Sequence, residues 1–148
     1  MRYAVKAWVL ASVLVALVAG RASADELKAY AGKLVISPDA PPTESSELPK
    51  YIKANLTKDA TYPIVKGPPW SMHIVAVLAK DAKRVTLTIS ETGSKETLVS
   101  TELVPVRRVV IAHTEATIAA GFANNKTYDV RLVSGKTVLA KALLEIRD

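Results

Sequence analysis

The chain has 148 residues, with 20 Lys and Arg against 14 Asp and Glu, 49% hydrophobic residues, 5% aromatics and no cysteine. The missing cysteine excludes disulfide staples, thiolate metal centres, thiol nucleophiles and a lipid-modified cysteine together. What remains is a length suited to one domain, held by packing and backbone pairing alone.

The first 24 residues, MRYAVKAWVLASVLVALVAGRASA, carry the three regions of a secretory signal peptide in order. Arg2 and Lys6 make a positive start, residues 7–20 form an uncharged apolar run, and Ala22-Ser23-Ala24 supplies the small residues that a signal peptidase requires. A membrane span needs about 20 apolar residues, so this shorter run with Arg21 behind it predicts cleavage after Ala24 and no stable membrane anchor afterwards. The compact leader and its alanine-rich end predict a bacterial protein of periplasmic or extracellular location. Without Arg2, Lys6 and Arg21 the cations fall from 20 to 17 against the same 14 acids, so the mature chain carries +3 and not +6. A nucleic-acid partner normally needs a clustered basic face. The tight basic pairs, Lys83-Arg84 and Arg107-Arg108, read instead as charged strand edges that discourage edge-to-edge pairing.

Residues 25–67 form a proline-punctuated segment expected to pack on or flank the rest. A first strand is predicted over 33–37 (KLVIS), followed by turn and polyproline-like backbone through SPDAPPTESSELP. At most one short helix fits: Ser45 or Ser46 as cap, Pro49 near the start, and Leu48, Tyr51, Ile52 and Leu56 on one face. The chain then returns to an extended path, because Pro63, Pro68 and Pro69 each disfavour helix in the residue before them.

Residues 68–148 read as a sandwich core of β-like runs separated by short turns. Residues 71–79 (SMHIVAVLA) are almost wholly apolar, as in a central strand, whereas 84–90 (RVTLTIS) alternates, with Val85, Leu87 and Ile89 facing in. Glu91-Thr92-Gly93-Ser94 makes a hairpin turn, and strands over 96–104 and 106–113 are broken by Pro105 at an edge or bend. Two final strands pair about Ser134-Gly135-Lys136. In the first of them Tyr128, Val130 and Leu132 share a face; in the second, Val138, Ala140, Ala142, Leu144 and Ile146 do so. The predicted fold class is all-β, an antiparallel β-sandwich with a proline-rich N-terminal arm.

The run GFANNKTYDVRLVSGKTVLAKALLEIRD (121–148) resembles the last two strands of immunoglobulin-like and fibronectin-III-like sandwiches, where a small-residue and turn stretch precedes a tyrosine and an alternating strand; here Thr127-Tyr128 stands at that place. The resemblance implies a tyrosine corner at Tyr128, its hydroxyl bonding back to backbone a few residues upstream. It implies architecture only, since the paired cysteines are absent and this superfold hosts many unrelated functions.

Chemistry is sparse. His113 and Glu115 would project from one face of a strand, but two ligands do not make a zinc centre, and no HxH or HExxH pattern occurs. There is no GxSxG elbow, and either histidine could meet a serine and an aspartate only through the tertiary fold. No catalytic residue, metal or cofactor is therefore expected. The densest constellation runs from Tyr62 through Gly67-Pro68-Pro69-Trp70 to His73, where prolines stiffen a backbone bearing large aromatics. Displayed at the surface, Trp70, Tyr62 and His73 would form a binding platform; turned inward, Trp70 would close one end of the core.

The function expected from these features is a non-catalytic binding or interaction module, exported to the periplasm or cell surface, with an unknown protein or glycan partner. The contact surface would be a loop end or the Trp70 segment. The alternative is a structural or accessory subunit that docks by β-augmentation, donating its N-terminal arm. A small hydrolase with an unrecognised site comes third. The arm discriminates the first two: packed back, it leaves a self-sufficient domain with a surface to bind; mobile, it becomes a strand to donate.

Overall fold

A computed structural model describes residues 21–65 and 67–147. The expected leader lies outside the described residues up to position 20, and the expected cleavage point after Ala24 falls within the first helix, α1 (Arg21–Lys28). Eight strands follow: β1 (Leu34–Ser37), β2 (Thr61–Ile64), β3 (Trp70–Val77), β4 (Val85–Glu91), β5 (Thr97–Leu103), β6 (Val109–Ala116), β7 (Lys126–Ser134) and β8 (Thr137–Ile146). A short 3-10 turn at Ser45–Glu47 leads into α2 (Leu48–Asn55) between β1 and β2.

The strands form an all-β sandwich of two sheets, one ordered β1-β3-β6 and the other β2-β8-β7-β4-β5. Their inner faces hold Met72, Ile74 and Ala76 of β3 above Leu87, Ile89, Val130 and Leu132 of β4 and β7, all fully buried. The expected alternation of β4 and β7 is present in the pattern of buried and half-buried residues along each strand. Among the named strands pairing is antiparallel except between β2 and β8, which run parallel, as does the isolated Lys33–Lys141 bridge. The proline-rich arm thus gives one strand to each sheet: β1 pairs with β3, and β2 with β8.

The helical expectation needs two amendments. In α2 the buried face is Leu48 and Ile52, with Tyr51 and Leu56 packed beside them, and Pro49 sits in the first turn where its missing N–H is harmless. Neither serine caps α2: Ser45 and Ser46 lie in the preceding 3-10 turn, and Glu47 stands at the cap without a side-chain hydrogen bond. The second amendment is α1, which the sequence pattern did not suggest; among its described side chains Leu27 joins the core.

Two strand details also depart from expectation. Val138 is exposed whereas Leu139 is buried, because the β7–β8 register slips there: Val133 stands opposite Val138 but Leu132 opposite Ala140. The extra residue is Leu139, a β-bulge that turns its side chain inward. Its carbonyl accepts a hydrogen bond from Ala79 N–H at 3.0 Å, tying the β3–β4 loop to the larger sheet. The strand expected over 106–113 begins only at Val109. Val106 and Val109 exchange both backbone hydrogen bonds at 2.9 Å around Arg107 and Arg108, whose φ angles are +51° and +67°. Two positive φ angles in a two-residue turn are the type I′ arrangement, which favours Asn-Gly and hides itself in Arg-Arg. This basic pair is therefore a hairpin tip and not a strand edge.

Tyr128 is fully buried at the other end of the sandwich. Its hydroxyl accepts from Ala123 N–H at 2.8 Å, five residues upstream, and its ring lies 4.8 Å from that of Phe122.

Candidate functional site

Trp70 opens β3 on its inner face, opposite Ala116, and is 1% exposed. Tyr62 in β2 is 3% exposed, its hydroxyl accepting from Thr57 N–H at 3.5 Å. Both are core residues, which corrects the expectation of a displayed aromatic platform. The prolines around them steer the chain into the sandwich, and burying two large aromatics outweighs displaying them.

His73 is the exception. Side chains alternate along β3, so Ser71 and His73 point outward while Trp70, Met72 and Ile74 point in. The β3–β6 register places His73 directly opposite His113 and Ser71 opposite Glu115. The outcome is a two-by-two block of polar side chains on the outer face of the small sheet. The two imidazole centroids lie 4.5 Å apart with their planes tilted by 37°. Ser71 Oγ and His113 Nε2 are 2.7 Å apart, a hydrogen bond between neighbouring strands. Ser37, at the end of β1, faces His73 from the other side and accepts from Asp39 N–H at 3.1 Å. Tyr51 of α2 closes that flank by donating to the Asp39 carbonyl at 2.8 Å.

Partial burial holds the His73 imidazole below its ordinary value of 6.5; the neighbouring His113 ring acts in the same direction, and Asp39 opposes them more weakly. His73 is thereby kept neutral near pH 7. The block contains a serine beside a histidine, but no carboxylate is bonded to the His113 ring among the described residues, whose second neighbour is the His73 ring. A serine nucleophile needs its base oriented by such a third group. Among the described residues no group of three or more His, Cys, Asp or Glu side chains could hold a metal ion. The sequence disclosed His113 and Glu115 as a same-face pair; their pairing with His73 and Ser71 depends on strand register, which no local pattern carried.

A second feature is the loop end at which β3, β5 and β7 finish. Leu78 N–H donates to the Arg108 carbonyl at 2.7 Å and Ala79 N–H to Leu139, so the β3–β4 loop, the Arg107-Arg108 tip and the β7–β8 turn meet there. Lys33 joins them at the start of β1, bridged to Lys141. The segment brings together Lys33, Lys80, Lys83, Arg84, Arg107, Arg108 and Lys136 against Asp81 and Glu102, a local charge of +5. The rest of the 148-residue chain then carries +1 of its total +6. Asp81 is bonded to Arg108 at 2.8 Å and Glu102 to Arg84 at 3.0 Å, so both acids are already committed to ion pairs. Their strength is small, since these pairs are open to water. Lys33, Lys80, Lys83, Arg107 and Lys136 are exposed.

Comparison with known proteins found no matching family model, no matching curated protein and no matching solved structure.

Proposed function

We propose that this chain is an exported, non-catalytic binding module whose basic loop end takes an acidic envelope polysaccharide. The observation that carries the reading is the charge asymmetry: +5 of the chain's total +6 lies at this end, and loss of the leader lowers the remainder from +1 to −2. Such an asymmetric field steers and orients a polyanion without a shaped cavity. Loops 78–84 and 104–108 and the 134–137 turn contain no Trp, Tyr or Phe. A protein hot spot is usually built from buried aromatic anchors as well as Arg, whereas repeated uronate or phosphate groups need only spaced cations. The arm supports the same reading, because β1 and β2 are already paired within the two sheets and leave no free strand to donate.

The leader sequence supports export. N-terminal sequencing of the protein recovered from the envelope or medium should begin at Asp25; an intact Met1 would remove that part of the proposal. For binding, the mature protein is run by affinity electrophoresis through polygalacturonate and through neutral dextran. Retardation by polygalacturonate alone, fading as salt rises, is the expected result. The K80E/K83E/R107E variant should lose it, while K53E/K58E/K95E, with the same change in net charge, should keep it. Equal behaviour of the two variants would overturn the assignment of the surface.

A further inference from the structure

We propose that the outer edge of β6 docks a second copy of this chain, antiparallel about a two-fold axis beside His113, so that the two three-stranded sheets continue as one. The inference is separate from the charged end and does not need it. β6 stands last in the order β1-β3-β6, and a single bond shows which of its backbone groups are used: Leu78 N–H donates to the Arg108 carbonyl at 2.7 Å. Directly bonded pairs recur at every second residue of an antiparallel ladder. In the β3–β6 register, Val110, Ala112 and Thr114 therefore bond to β3, while Ile111, His113 and Glu115 turn their N–H and C=O groups away from it. Val109 obeys the same parity, since both its groups leave β3 to exchange bonds with Val106.

The other three edges are blunted in the ways that usually prevent such pairing. β1 has four residues and carries α2 against it, β2 has four with Pro63 among them, and β5 has Glu102 exposed and a register break opposite Ile89 and Ser90. β6 has eight residues in unbroken register and contains no Lys, Arg or Pro. The extent of its free part selects the occupant. Val106 closes it at one end, and at the other Thr117 turns its carbonyl back to the Ala120 and Phe122 amides. Between those stops lie three outward-bonding residues centred on His113, a set that a second β6 matches. Ile111 then meets the partner's Glu115, His113 meets the partner's His113, and each pair exchanges two backbone bonds. Exposed aliphatics flank the same stretch: Val104, before the Arg107-Arg108 tip, is 58% exposed, and Ile118, in the turn after β6, is 65% exposed. The two-fold lays the tip of one copy beside that turn of the other, so each of these side chains gains apolar cover. The two basic ends come to opposite poles, where their repulsion does not oppose the pairing.

Untagged protein recovered from the producing cell is followed by analytical ultracentrifugation over a dilution series, and by amide hydrogen exchange at both ends of that series. A dimer is expected, with the Ile111, His113 and Glu115 amides protected in it and released on dilution, while those of Val110, Ala112 and Thr114 stay protected throughout. Ile111→Glu sets like charges opposite the partner's Glu115, twice per dimer, and should raise the dissociation constant about 2-fold to 30-fold. The swap I111E/E115K sets opposite charges there and should restore the dimer, which only the register centred on His113 demands. His113→Pro removes an outward N–H and no bond to β3, a change that edge strands tolerate, and should leave a folded monomer by far-UV circular dichroism. A monomer at every concentration, a dimer that persists in His113→Pro, or a swap that fails to restore what Ile111→Glu loses would overturn the proposal. If His113→Pro unfolds, the wild-type exchange pattern of alternate amides decides in its place.

Discussion

The outer faces of the two sheets follow different rules. On the five-stranded sheet, Thr86, Thr88, Ser90 and Arg131 face outward and stay open or half-open, while Leu87, Ile89, Val130 and Leu132 beside them are fully buried. On the three-stranded sheet, the outward Val35, Val75 and Val109 are as buried as the inward Ile74 and Ala112. Among the described residues the helical N-terminal segment is what lies outside the two sheets there, with α2 against β1 and α1 against α2. The cover stops short of Ser71, His73 and His113. A half-covered face thus places polar groups at the rim of an apolar floor, where burial can tune an imidazole without sealing it from solvent.

That contrast can be tested by substitution, with unfolding in urea as the readout. Trp70→Ala, beneath the open part of the small sheet, should lose about 3 to 5 kcal/mol, the range for a large buried aromatic. A loss under about 1 kcal/mol would mean that the ring is not part of the core. Val75→Ser, on the covered outer face, should lose about 2 to 3 kcal/mol through the deleted methyls and an unpaired hydroxyl. The corresponding change on the open face, Thr88→Val, should stay within about 0.5 kcal/mol. If the two were similar, the small sheet would not be covered in solution. Between these, Tyr128→Phe should lose about 1 to 2 kcal/mol by leaving the Ala123 N–H without its acceptor.

The smallest effect is one of pH. His73 binds its proton less readily in the fold than in the unfolded chain, so the unfolded state takes up more protons as the pH falls below the ordinary 6.5. Stability should therefore decline as pH drops from 6.5 through the lowered native value, and level off below it. His73→Gln should flatten that part of the profile. A slope left unchanged by the substitution would assign it to other groups.

Most of the sandwich was readable from residue pattern. Strict alternation in RVTLTIS and in the strand holding Tyr128, Val130 and Leu132 disclosed which faces are inward, because each covers only one side of a sheet. The pattern failed where a second force acted. The bulge at Leu139 reversed Val138 and Leu139, since one extra residue changes the face of everything beyond it. Arg107 and Arg108 occupy a turn whose residue preference they do not share, and the neighbouring strand shifted by three residues accordingly. The site was less legible than the fold. Trp70 and Tyr62 stand out by chemistry but are consumed by the core, whereas the His73–His113 contact joins residues 40 positions apart through register alone.

The parallel pairing of β2 with β8 has a consequence in time. Thr61–Ile64 is synthesised 82 positions ahead of its partner, Leu143–Ile146. A chain emerging from a ribosome can assemble the β4–β5 hairpin and the β3–β6 pair, yet it cannot seat β2 in the larger sheet until β8 has followed. Loop closure over so long a separation is slow compared with local hairpin formation. The larger sheet is therefore wired to stay incomplete, with β2 unpaired, until β8 has been made.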